Sequence, residues 1–416
     1  MMRNRIHLAA AVVAIIMSPI GAAQPRAQSA VGAGPLTGAL ADTEPTTGVL
    51  TIGPVRFAPG ITVREIGWDS NVFVEPPEES PKEDFVTSVT PDVSAYTRLR
   101  FLRISAYAGS DLNYYHEYDS ERSVGHILRG RFDVLLSRLR PFAGGGQLKT
   151  RERPNGEIDV RADRLEQEFS GGLAFDISPY ALVYASSAWS GTEWEDAVQN
   201  GVDLTTSLNR ERLEYQAGLK TDLTPLLAMQ LFGSYTDDQF TYEPLRNTTS
   251  TSGYAQFRIA TDAVIRGSVT AGYRDLQSVD PLTKPFRGFV GSAAIAYPFL
   301  EIGTLTLTAN RATEYSFDSG EAYYVENTLA LAYTHRLFGN VDVQVRGATS
   351  QFDYSNRVDR PSHKDRLGSA GGSVGYNLRN RTRIAVNYEY AERRSAEIPA
   401  RNYDRERIYL SWLFAF

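Results

Sequence analysis

From residue 53 onwards, apolar and polar residues take turns along the chain. In TRIAVNYEYA, Ile384, Val386, Tyr388 and Tyr390 fall on one side, and Arg383, Asn387 and Glu389 on the other. TLTLTAN sets Leu305, Leu307 and Ala309 against Thr304, Thr306 and Thr308, and LRISAYAGSDLNYY sets Leu102, Ile104 and Leu112 against Arg103, Tyr107 and Asp111. Successive side chains on a strand point to opposite faces, so this pattern is a strand pattern and not a helical one. Turns interrupt it about every 40 residues, near Leu99, Leu139, Ser178, Leu223, Asp262, Glu301, Gly339 and Arg379, the regularity of a repeated hairpin. Longer polar stretches lie near 68–83, 116–122, 152–162, 193–206, 240–250, 278–284, 316–321, 354–363 and 394–402. Eight turns and nine loops separate eighteen strands, or sixteen if the ragged stretches SDLNYYHEYDSERSVGHI and GGGQLKTRERPNGE hold one hairpin fewer.

The chain is therefore read as all-β. The 23 Tyr, 19 Phe and 34 Gly fit that class. An even strand number, with short turns at one end and longer loops at the other, predicts a transmembrane antiparallel up-and-down β-barrel with periplasmic turns and extracellular loops. A propeller would show a signature per four-stranded blade, and none is seen. A soluble sandwich would not carry charge along the polar side of nearly every strand. The outward residues are then Leu305, Leu307, Val386 and Tyr388, while Thr306 and Asn387 face water.

Composition removes several function classes. With no Cys, disulfides, thiolate metal sites and a Cys-linked lipid anchor are excluded. The 43 basic and 49 acidic residues are scattered, so no basic stripe awaits nucleic acid. GAGP and GGGQ lack the strand–helix setting of a phosphate loop, and PPEESPKED lacks the spacing and Gly of a Ca²⁺ loop. No cofactor or metal is expected. At the N-terminus, Arg3 and Arg5, the apolar run Leu8 to Met17 and small residues up to Ala23 have the form of a signal peptide. The organisation expected is a signal peptide over 1–23 (cleavage as late as 30), a periplasmic linker over 31–52, and a barrel over 53–416.

The chain closes on RIYLSWLFAF, whose Ile408, Leu410, Trp412, Phe414 and Phe416 form one apolar stripe. This ending resembles the signature by which outer-membrane barrels are recognised for assembly, which implies lipid and the barrel-assembly machinery as partners. ITVREIGWDSNVF, followed by DFVTSVTPDVSAYTRLR, is similar to the opening hairpin of a family of outer-membrane β-barrel porins. Asp69, Ser70, Asn71, Val72, Phe73, Thr90 and Pro91 carry that likeness. Members of the family often occur beside exopolysaccharide genes. The resemblance thus implies a porin-like channel in a Gram-negative outer membrane, or an exit pore for exopolysaccharide working with periplasmic export proteins.

Eighteen strands enclose more space than inward side chains fill. Only about 22 residues lie between the signal-like segment and the first strand, too few for a plug domain, so inward-folded loops are the remaining way to narrow the lumen. The expected lumen residues include Arg103, Arg129, Arg131, Glu166, Glu214, Arg258, Arg266, Arg346, Arg383, Arg405 and Arg407. Arg residues aligned on adjacent strands would select anions; charges of mixed sign that neutralise one another are the alternative. Tyr107, Tyr115 and Trp189 fit either stacking on sugars or interfacial girdles. An enzyme is the rival class, and His116 beside Glu117 and Asp119 is its best group, without a motif of catalytic spacing.

Overall fold

The computed structural model describes residues 50–415 apart from 196, 300, 301 and 379–381. The signal-like segment 1–23, most of the 31–52 stretch and Phe416 lie outside the described residues, as do the turn positions Glu301 and Arg379. Eighteen long strands form one antiparallel sheet: β1 (Val55–Asp69), β2 (Asp84–Arg98), β3 (Leu102–Tyr115), β4 (Ser123–Val134), β5 (Leu139–Thr150), β6 (Asp163–Ser178), β7 (Ala181–Glu195), β8 (Arg210–Thr224), β9 (Leu227–Phe240), β10 (Thr248–Ile259), β11 (Arg266–Ser278), β12 (Phe286–Phe299), β13 (Gly303–Tyr315), β14 (Tyr323–Phe338), β15 (Val341–Tyr354), β16 (His363–Asn377), β17 (Arg383–Ser395) and β18 (Tyr403–Ala415). Each pairs with its chain neighbours, and β18 returns to β1, with Trp68 opposite Ile408 and Ile61 opposite Phe414. Closure leaves no unpaired edge, the condition for a sheet that crosses lipid.

Strands of 12 to 16 residues are long enough to cross at a tilt. The turns have local causes. Residues 179–180 and 225–226 each begin with Pro, and a hydroxyl two residues back takes the next free N–H: Tyr180 N donates to Ser178 Oγ and Leu226 N to Thr224 Oγ1, both at 3.2 Å. Gly339, at φ +53°, turns β14 into β15. Two expected turns shift: Leu139 opens β5 and Leu223 lies inside β8. The loop expected at 193–206 lies at 196–209, because β7 continues through Glu195, and it contains one helical turn, α1 (Leu204–Leu208), capped by Asp203. The end of the expected linker is strand, since Leu50 pairs with Phe57 and Ile52 with Val55 around Gly53.

The two faces differ as alternation requires. Val386 is 57% exposed on the outer face while Asn387, one residue on, is 5% exposed inside. Leu305 and Tyr388 are exposed outward and Thr306 is buried inward. Trp189 lies outward, stacked on Phe169 at 5.9 Å, so it faces away from the lumen. Within the terminal stripe Ile408, Leu410 and Trp412 are exposed on the outer face, with Trp412 against Phe414.

Candidate functional site

Inside the barrel, cross-strand register groups residues by chemistry. On β15–β18 and β1, one row runs Arg346, Gly371, Glu389, Arg407, Asp69. Gly371 has no side chain, so Arg346 lies across it: Nη2 donates to Glu389 Oε2 at 2.9 Å and to Tyr409 Oη at 3.0 Å. Arg407 donates to Glu389 and to Glu65 Oε2, the latter at 3.4 Å. A β-bulge at Val63–Ile66 turns Arg64 and Glu65 to the same inner side, where Arg64 meets Glu152 at 2.7 Å. Arg405 Nε donates to Asp69 Oδ1 at 2.8 Å, and Arg383 Nη2 to Asp342 Oδ1 at 2.6 Å. Arg103 and Arg131 share Asp133, at 3.2 and 3.0 Å.

Arg103 stands at the turn end of its strand and Arg405 at the loop end of β18. These two groups therefore do not form one basic ladder. Arg129 lies 5.9 Å from the Tyr107 ring, Arg131 4.5 Å from Phe142, and Glu166 2.9 Å from Arg164. Glu214 lies beside Arg212 on the inner face of β8, and Arg266 is buried. Arg258, near the turn end of β10, is exposed.

The opposite side of the lumen is aromatic. One row across β6–β12 runs Ala174, Tyr184, Gly218, Phe232, Tyr254, Gly272, Val290. Phe232 and Tyr254 stack at 4.9 Å, and Tyr184 Oη accepts from Gln230 at 2.6 Å. A Cβ on Gly218 would come within 2.9 Å of the Tyr184 ring, and one on Gly272 within 2.1 Å of the Tyr254 ring. Glycine thus lets each ring lie flat on the wall.

At the loop end, residues 151–162 cross the lumen. They leave between β5 and β6 and reach β13–β17, about nine strands around an eighteen-strand ring. Pro154 and Asn155 begin the crossing: Asn155 Oδ1 accepts from the N–H groups of Glu157 and Ile158, both at 3.0 Å. Gly156 packs its backbone on Phe352, where a Cβ would stand 2.8 Å from the ring. The buried Glu157 carboxylate accepts from Ser316 Oγ at 2.6 Å, Phe317 N at 3.2 Å and Tyr354 Oη at 3.1 Å. Asp159 pairs with Arg393 at 2.9 Å and Arg401 at 3.0 Å. Gln199 joins the second inward loop to the first, donating to Glu157 O at 3.0 Å and accepting from Asp159 N at 2.7 Å. Beneath them Ile158, Ala162, Trp194, Leu204, Leu208 and Phe317 form one apolar cluster.

Burial pushes the Glu157 carboxyl up to about 7, against the pull of Arg401. Burial likewise lifts Glu321 to about 7. Arg153 is drawn down to about 9 by burial and by Arg161 and Arg405 nearby. A cavity of about 200 Å³ opens beside the crossing, and its charged lining residues include Glu157, Asp318, Glu321, Arg360, Glu397 and Arg401.

Sequence reasoning left out Glu157, Asp159, Arg393 and Arg401. The signal available was the apolar Ile158, Val160 and Ala162 inside a charged loop, residues that a solvated loop has no reason to carry. The His116 group is used structurally: the N–H groups of His116 and Glu117 donate to Asp84, and Asp119 pairs with Arg122. Tyr115 is buried with the Arg161 guanidinium over its ring at 4.5 Å. Among the described residues no group of three or more His, Asp and Glu is placed to hold a metal ion.

The family model described as "Putative beta-barrel porin 2" matches residues 50–416. Among solved structures, OccK2 (OpdF) of Pseudomonas aeruginosa superposes with a TM-score of 0.50 at 12% identity, covering 86% of this chain and 98% of that one. OpdK of Pseudomonas aeruginosa, solved with vanillate, gives a TM-score of 0.48 at 10% identity over 86% and 99%. OccAB3 of Acinetobacter baumannii gives 0.47 at 10% identity, also over 86% and 99%. At such identities the likeness is one of fold. No curated protein matches the chain.

Proposed function

We propose, from the premise that this chain belongs to the β-barrel porin family whose model spans it, that solute passage is governed by the loop crossing at 151–162. As a member of that family the protein is an integral outer-membrane β-barrel and a porin-like channel. The observation carrying the proposal is the latch of that loop onto the opposite wall through Glu157 and Asp159. A wide barrel would otherwise pass solutes of many sizes. With the loop in place, the pore admits small water-soluble molecules by passive diffusion down their gradient. The wall Arg residues named above are largely matched by carboxylates, so the lumen carries little uncompensated charge of one sign.

Liposome swelling with saccharides of increasing length tests this reading. The native protein admits monosaccharides and slows sharply with chain length, and replacing residues 153–161 by a short Gly–Ser linker raises the size limit. Passage of long polysaccharide with exclusion of monosaccharides would overturn the reading in favour of an exit pore.

A further inference from the structure

Arg393, Arg401, Asp159 and Asp365 form a square in which each carboxylate meets both guanidinium groups. Asp159 takes Arg393 Nη1 at 2.9 Å and Arg401 Nε at 3.0 Å; Asp365 takes Arg393 Nη2 at 2.6 Å and Arg401 Nη1 at 3.5 Å. Three corners belong to the wall and its rim, namely Arg393 on β17, Asp365 on β16, and Arg401 in the loop between β17 and β18. Only Asp159 arrives with the crossing loop. Without it the wall holds two guanidinium groups and one carboxylate, a formal charge of one positive unit. The Arg393 side chain is fully buried and would then share Asp365 alone with Arg401, leaving one positive charge in excess in a poorly solvated place, which is disfavoured.

We propose that Arg393 and Arg401 form a binding site for a small carboxylate solute, which Asp159 fills in the latched state. Solute and loop then compete for the same donors, and an arriving carboxylate releases the loop. The proposal rests on the channel reading above. Planar carboxylates suit these donors because a guanidinium presents parallel N–H groups to them. The approach is present on the Arg401 side: the cavity beside the crossing is lined by Arg401 and Arg360, and the Asp159 side chain remains partly exposed. Of its four acidic members, Glu157 and Glu321 are lifted to about 7 by burial and are mostly protonated at about pH 6, while Asp318 and Glu397 line it as well. Repulsion of an incoming anion by Glu157 and Glu321 is then weaker than at neutral pH and above.

The test uses the full barrel at about pH 6, with acetate as probe against chloride at equal ionic strength. In planar bilayers, acetate should lengthen the wide, high-conductance state of the native channel several-fold relative to chloride, while Asp159→Asn should occupy that state without it. In detergent, Asp159→Ala vacates one corner, so acetate should raise its thermal midpoint clearly more than chloride does. Adding Arg401→Gln should abolish that rise. Acetate and chloride acting alike on Asp159→Ala would overturn the site. A native channel indifferent to acetate, with Asp159→Ala still stabilised by it, would overturn the competition. The thermal readout needs no conductance, so the site and the channel reading fail separately.

Discussion

On one side of the lumen Arg346 lies across Gly371 to reach Glu389 and Tyr409; on the other Tyr184 lies across Gly218 beside Phe232. Both walls use one construction. A bare glycine on the inner face leaves room for a long neighbour to lie flat, and the lumen keeps its width. The chemistry laid on that frame differs. The charged wall is held by partners that need one another, so losing one strands the rest in a poorly solvated place. The aromatic wall is held by contact area, which degrades gradually as atoms are removed.

The largest effect should come from breaking the charged wall. Glu389→Ala leaves Arg346 and Arg407 without their shared carboxylate. It should cost about 3–5 kcal/mol in reversible urea unfolding from lipid, as buried pairs do when one member is removed. Phe232→Leu on the aromatic wall, which retains most apolar contact, should cost under about 1.5 kcal/mol. Equal costs would erase the distinction between the walls.

Next in size is the contrast between inner and outer faces. Val386→Arg places a charge against hydrocarbon and should cost about 2–4 kcal/mol, whereas Thr308→Arg, exposed on the lumen side, should cost under about 1 kcal/mol. The shared frame is tested by adding a single methyl to each glycine. A Cβ on Gly371 would stand 2.7 Å from Tyr388 O, and one on Gly218 2.6 Å from Leu231 O. Gly371→Ala and Gly218→Ala should each cost about 1–3 kcal/mol by overpacking. A penalty confined to one of them would show that the construction is not common to both walls.

The crossing loop differs from either wall in responding to pH. Its Glu157 carboxyl is lifted from an ordinary 4.5 to about 7, so the latched state holds the proton more tightly than the released state. The resulting stabilisation is complete below about pH 4.5 and declines as pH rises to about 7. Single-channel records should show dwell times in the narrow, latched state shortening over that interval, and Glu157→Gln should flatten the trend. The same trend in Glu157→Gln would assign it to another group.

Much of the wall was legible beforehand. Val386 and Asn387 take opposite faces because a strand has a two-residue period, and nothing distant can alter that locally. The loops 116–122 and 316–322 sit where polar, turn-forming residues collect. The displaced turns at Leu139 and Leu223 show the limit of such reading, since the pairing neighbour decides where a strand stops. Trp189 was open between the inner and outer faces until its stack with Phe169 fixed its side as the outer one.

What the sequence alone determined, then, is each strand's two faces, the hairpin order and the barrel that follows from them, because these depend on neighbours in the chain. The meeting of Asp159 with Arg393 and Arg401 was decided only by tertiary structure. It joins residues more than 230 positions apart, and their approach depends on closure, which sets the strand that lies across the lumen from β5 and β6. The row of Arg346, Glu389 and Arg407 depends likewise on the register of β15–β18. Shifting any one strand by a single residue would send its charges into the membrane instead.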